Sequence, residues 1–157
     1  MATGPAEQAE EVRTHVLSAH EQLRQRSAEL AREALRVARG ANGRDLRVRA
    51  LVYQLWSVVQ ETDQLECREL IPLLANADAW GAARVDKLHE CHARHEREIC
   101  ALADELGAIE TARAALERID CVLTSLLHDL DDEEATSLET DLLRQDGPVI
   151  VTEQTSG

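Results

Sequence analysis

Four long segments of this chain carry apolar residues at alternating spacings of three and four, and the segments are separated by clear breakers. The first stripe runs Val16, His20, Leu23, Ser27, Leu30, Ala34, Val37. The second runs Val48, Val52, Leu55, Val59, Thr62, Glu66, Leu70, Leu73. The third runs Val85, Leu88, His92, His95, Ile99, Leu102, Leu106, and the fourth Ala112, Leu116, Ile119, Leu123, Leu126, Leu130, Glu133. Spacing of this kind puts one face of each helix into a shared core. The breakers are "GANG" at 40–43, "ANADAW" at 75–80, and Gly107 followed by Thr111. Short connections between long amphipathic helices make neighbours antiparallel, so the expected fold is all-α, an up-down-up-down four-helix bundle. Pro72 within "LIPLL" is expected to kink or end the second helix, because it lacks an N–H and crowds the preceding turn. One domain over residues 1–146 is expected, followed by a mobile tail at 147–157 whose "GPVIVTEQTSG" has no helical pattern.

Composition agrees. Of the 157 residues 44% are hydrophobic but only 2% aromatic, so Leu and Ala must fill the interior, and both favour helix. A net charge of −13 repels polyanions and argues against nucleic acid as a partner. No apolar run approaches the roughly 20 residues of a membrane span, and "MATGPAEQAEE" has none of the regions of a signal peptide. A cytoplasmic protein is therefore expected. Cys67, Cys91, Cys100 and Cys121 share no CxxC spacing, which suits free thiols in a reducing compartment.

The interruptions of the stripes point to chemistry. His20, Thr62, Glu66, His92, His95 and Glu133 stand where a Leu/Ala core would place aliphatic groups. Burying an unpaired imidazole or carboxylate costs several kcal/mol, so each needs a partner or a metal. In an antiparallel hairpin, two residues are level when their midpoint falls in the turn. The midpoint of His20 and Glu66 is Gly43, and that of Glu66 and His92 is Ala79. For His92 and Glu133 it lies just past Ala112, a looser match, and for Asp129 it falls slightly nearer the turn. One inward polar residue per helix thus converges on a single layer. Imidazole with carboxylate is a ligand set for iron or manganese, and bundles build metal sites from such groups on facing helices. The competing reading is a buried network of His–Glu hydrogen bonds without metal. His15, His89 and His128 are expected at the surface. A third reading joins Cys67 or Cys91 to neighbouring histidines as a zinc site, and a reactive thiolate at Cys91 would require His89 or His92 to be protonated.

The segments "AHEQLRQRSAEL", "ETDQLECRELIPLL", "VDKLHECHARHEREICAL" and "LLHDLDDEEATSLE" resemble the four helices of hemerythrin-like (HHE cation-binding) domains over about residues 12–143. Those domains show patterns close to HxxLR, HxxxE(E/D)xxL(F/W)P, a third-helix histidine and HLxxEE. The resemblance implies ligand places at His20, Glu66 (bridging), His92 and Glu133. The family's second-helix histidine falls at Thr62, its fourth-helix histidine at Asp129, and an additional third-helix histidine at Leu88. His95 is a partial substitute, and Asp129 a possible fifth ligand. Family membership would imply a non-heme iron centre, di-iron in the full pattern, that meets O2, NO or peroxide. With imidazoles lost and carboxylate gained, redox chemistry or sensing is expected rather than reversible O2 transport, with manganese or zinc as alternative metals. The alternative function is a metal-free bundle acting as a protein-interaction or regulatory module.

Overall fold

The computed structural model describes residues 4–40 and 45–143; most of the first expected turn and the whole expected C-terminal tail lie outside them. The described residues are all-helical, with no strand among them. Helix α1 spans Pro5–Ala38, α2 Asp45–Leu65, α3 Ile71–Ala77, α4 Gly81–Glu105, α5 Ala112–Thr136 and α6 Thr140–Leu143. Helix α1 packs against α2 and α5, and α4 packs against the same two, so the four long helices enclose one interior.

Local sequence sets the helix ends. Pro5 stands in the first turn of α1, where its missing N–H costs nothing. At the other end Gly40 adopts φ +88°, the left-handed conformation that lets a residue without Cβ close a helix. Thr111 caps α5, its hydroxyl accepting the Ala114 N–H at 3.2 Å. Between α4 and α5 the connection therefore extends from Leu106 through Thr111. Gly81 is buried where α4 starts; a Cβ there would overlap the Leu74 carbonyl oxygen and lie 2.8 Å from that of Ala75. Only glycine lets α4 approach α3 this closely.

At Pro72, where a kink or an end of the second helix was expected, the structure shows a change of winding. The chain continues past Leu65, but residues Glu66–Leu70 form one wide π turn, and the Ile71 N–H reaches back five residues to the Glu66 carbonyl. A π turn takes up the missing N–H of Pro72 without ending the helix, and such turns are frequent at functional sites. It also rotates the side chains that follow. Glu66 is its first residue.

The interior is divided along the helices. One apolar cluster includes Leu23, Leu30, Leu51, Leu55, Val59, Ile99, Leu102, Ile119 and Leu126. A second holds Ala9, Val12, Val16, Leu70, Leu74, Leu88, Leu138, Leu142 and Leu143, closed by α6 and by Arg13, whose Nε donates to the Leu138 carbonyl at 2.9 Å. Each fully buried leucine contributes about 1.5–3 kcal/mol. Along the chain the polar interruptions lie between the residues of these two clusters: His20 on α1, Thr62 and Glu66 on α2 and its π turn, His92 and His95 on α4, and Glu133 near the end of α5, between Leu130 and Leu138. Apolar packing above and below thus fixes the height of a polar layer.

Candidate metal centre

Glu66 is the centre of that layer. Only 2% of it is exposed, and its two oxygens face different helices. Oε1 accepts from His20 Nε2 at 3.1 Å, and Oε2 from His92 Nε2 at 2.6 Å. Burial drives the Glu66 carboxyl upward, but the bonds from His20 and then His92 outweigh it and hold the group below its ordinary value. Both imidazoles respond in kind. Burial alone would depress them, yet the hydrogen bond to Glu66 and the surrounding carboxylates raise His20 and His92 above the ordinary histidine value.

Two donor sets share Glu66. The first is His20, Glu66 and Glu133; the second is Asp63, Glu66 and His92. Within each set the donor atoms lie no more than 4.8 Å apart. In the first, His20 Nε2 is 3.6 Å from Glu133 Oε1, and that oxygen is buried with no hydrogen-bond partner. Burial and the adjacent Glu66 charge push the Glu133 carboxyl up to about 8. In the second, Asp63 Oδ1 lies 3.6 Å from His92 Nε2, and burial lifts the Asp63 carboxyl to about 6. Carboxylates that burial holds back from ionising are carboxylates that a cation would stabilise. The orphaned Glu133 oxygen is the sharpest sign, because a buried acceptor without a donor costs roughly 1–3 kcal/mol.

Outer contacts hold His20 in place. Its Nδ1 meets Glu134 Oε1 at 2.9 Å, and Arg24 binds both Glu134 and Asp131 at 2.8 Å. A carboxylate on the far nitrogen of a ligating histidine orients the ring and raises its basicity. His92 has no equivalent carboxylate on its far nitrogen among the described residues; its Nδ1 lies 4.0 Å from Cys67 Sγ.

Of the five candidate ligands, the structure brings together His20, Glu66, His92 and Glu133, and leaves Asp129 apart. Asp129 pairs instead with His95 Nε2 at 2.7 Å and with Arg94, so it belongs to neither of the two donor sets. The same pair accounts for His95, buried to 6% exposure as a core histidine with its own acid rather than a substitute ligand. Thr62 is buried too, but its hydroxyl donates to the Val58 carbonyl at 2.8 Å, within its own helix. His15, His89 and His128 are exposed, as expected. The thiolate reading of Cys91 is disfavoured: burial and then Asp129 push its thiol up. Its zinc reading also changes shape, because the Cys/His group that forms contains Cys67, His89 and His92 and omits Cys91.

Two residues of the site were missed in the sequence. Asp63 stands three before Glu66 and hence on the same helix face, a signal obscured by its place beside the stripe residue Thr62. Glu134 is the last acid of the "DDEE" run at 131–134, directly after the stripe residue Glu133 and off the stripe itself. Compared with protein families, curated proteins and solved structures, the chain matches none.

Proposed function

We infer that the chain is a divergent hemerythrin-like domain, an up-down-up-down four-helix bundle whose core binds a carboxylate-rich, dinuclear non-heme metal centre. The observation that carries this reading is the division of Glu66 between two donor sets, each holding one histidine and one further carboxylate. The closed packing of α1, α2, α4 and α5 supports the bundle. His20 and Glu133 would hold one ion, His92 and Asp63 the other, with Glu66 between them. Iron is the favoured metal for imidazole and carboxylate donors, with manganese next and zinc as a further alternative. When bound, an iron pair supplies the redox chemistry needed to act on or sense O2, NO or peroxide. A site with two imidazoles against three carboxylates favours hard, higher-valent metal over reversible O2 carriage. Glu134 and Arg24 orient His20, while the apolar clusters on either side exclude water from the layer. The proposal sets the protein in the reducing cytoplasm, a setting that suits four unpaired cysteines.

A second reading has its own support. The His20–Glu66–His92 chain of hydrogen bonds closes without an ion, as a metal-free bundle with an acidic interaction surface would require. Anaerobic Fe(II) loading of tag-free protein separates the two. About two irons per chain, with a near-ultraviolet band on exposure to air, are expected, and Glu66→Ala abolishes both. Background metal in the loaded wild type would leave the polar network as the answer and turn the search to protein partners.

A further inference from the structure

His92 is used from one side only. Its Nε2 is bonded to Glu66 in the core, while Nδ1 points outward between Cys67 and His89. His89 lies three residues before His92 on the same face of α4, and the two rings meet edge to face with centroids 6.3 Å apart. Cys67 reaches them from the π turn, whose wider winding follows from Pro72. The donor atoms of all three residues fall within 4.8 Å of one another.

We propose that Cys67, His89 and His92 form an outward-facing zinc site, separate from the core donor sets except for the shared ring of His92. Zinc takes sulfur at about 2.3 Å and nitrogen at about 2.0–2.1 Å, so tetrahedral ligands stand roughly 3.4–3.6 Å apart. The 4.0 Å between Cys67 Sγ and His92 Nδ1 closes to that value with small side-chain rotations. Both Cys67 and His89 are exposed and free to make them. Glu66 completes the arrangement, because the Nε2–H of a zinc-bound histidine is characteristically held by a carboxylate. Three protein ligands leave the fourth position for water or an anion. Binding releases the Cys67 thiol proton to solvent, and no electron transfer is involved. The site needs no metal in the core. The core reading uses Nε2 of the same ring for a metal, so zinc on Nδ1, with the Nε2 proton kept on Glu66, competes with that use of His92.

The test is zinc titration of the full, reduced, tag-free chain against a chromophoric chelator, with Co(II) as a spectroscopic probe. The zinc that displaces Co(II) from the thiolate-bearing site, a signal the imidazole and carboxylate donors of the core cannot give, is expected to bind at least about 10-fold more weakly in His89→Ala, and in Cys67→Ala the signal is lost. Glu133→Ala, which touches only the core, should leave that affinity within about twofold. The Co(II) complex should show a thiolate charge-transfer band that Cys67→Ser removes and Cys91→Ser retains. Circular dichroism checks that these surface variants fold. A Co(II) thiolate band that survives Cys67→Ala, an affinity at that site unchanged in His89→Ala, loss of the band in Glu133→Ala, or its absence from the wild type at micromolar metal would overturn the assignment.

Discussion

Replacing Glu133 by glutamine should remove a loss of stability that the metal-free protein suffers as pH rises, while weakening its hold on metal. The carboxyl is raised from 4.5 to about 8 by burial and by Glu66. Between those two values the folded chain keeps a proton that the unfolded chain has released, so stability falls as pH rises, and the loss is complete above pH 8. Each unit corresponds to about 1.4 kcal/mol. From pH 5.5 to pH 8 the wild type should therefore lose roughly 3 kcal/mol through this group, and the variant none of it. Glutamine brings a cost of its own, a buried amide beside His20 worth about 1–3 kcal/mol if it finds no partner. That cost is nearly the same at both pH values and cancels in the comparison. Both conditions lie above the isoelectric point near 4.8, where solubility would interfere. Urea unfolding of chelator-treated wild type and Glu133→Gln at the two pH values measures the difference directly. A gap between the proteins that fails to widen in favour of the variant by at least about 1 kcal/mol would refute the account of Glu133 as a strained, proton-holding acid.

Two further perturbations address the site and the frame that holds it. Metal uptake must displace protons from Glu133 and Asp63, lifted to about 8 and about 6, and from the raised imidazoles of His20 and His92. Fe(II) or Mn(II) affinity should accordingly climb from pH 6 to pH 8, with about two or more protons released per chain into a weakly buffered indicator solution; uptake indifferent to pH would contradict this. Gly81→Ala forces a Cβ against the carbonyl oxygens of Leu74 and Ala75. It should cost about 1–3 kcal/mol, read as a melting temperature several degrees lower, whereas a neutral result would mean that α3 and α4 can part without penalty.

Most of the layer could be read from spacing because the aliphatic residues around it are so regular. His20, Glu66, His92 and Glu133 stand out against stripes that are otherwise nearly all Leu, Val, Ile and Ala, and the clusters above and below confirm why such residues must converge. The midpoint argument paired His20 with Glu66, and Glu66 with His92, and both contacts form. At the third turn it misled: the looser match, Glu133, joins the layer, while Asp129, whose midpoint fell nearer the turn, does not. His95 and Asp129 pair around Ala112, beyond the expected centre of the third turn, so Asp129 finds an acid–base partner one turn away from the shared carboxylate. Asp63 lay hidden because a stripe is read as a line, whereas the inward face of a helix is wide enough to admit a residue beside it. The π turn was beyond pattern reading altogether. Pro72 announces a disturbance, but whether the chain breaks, kinks or widens depends on what packs against it, and here Leu70 and Leu74 stay buried on the same side.

The balance of charge in the layer is the argument for the proposed metal centre over a metal-free network. Glu66 is fully compensated by two imidazoles, and a network built for internal hydrogen bonding alone could end there. It does not end there. Glu133 and Asp63 add two carboxylates that receive no hydrogen bond from either imidazole, one of them with an oxygen buried and unpartnered, and both are shifted upward by desolvation. A metal-free module gains nothing from such groups, since a hydrophobic residue of similar size would pack in their place at lower cost. Glu134, paired with Arg24 and bonded to His20 from outside, shows that further acid near this histidine can be accommodated without strain when a cation accompanies it. Glu133 and Asp63 have no such lysine or arginine partner among the described residues. With the two imidazoles engaged by Glu66, Glu133 and Asp63 are left without a cation of their own, and a divalent ion in each of the two donor sets would supply one.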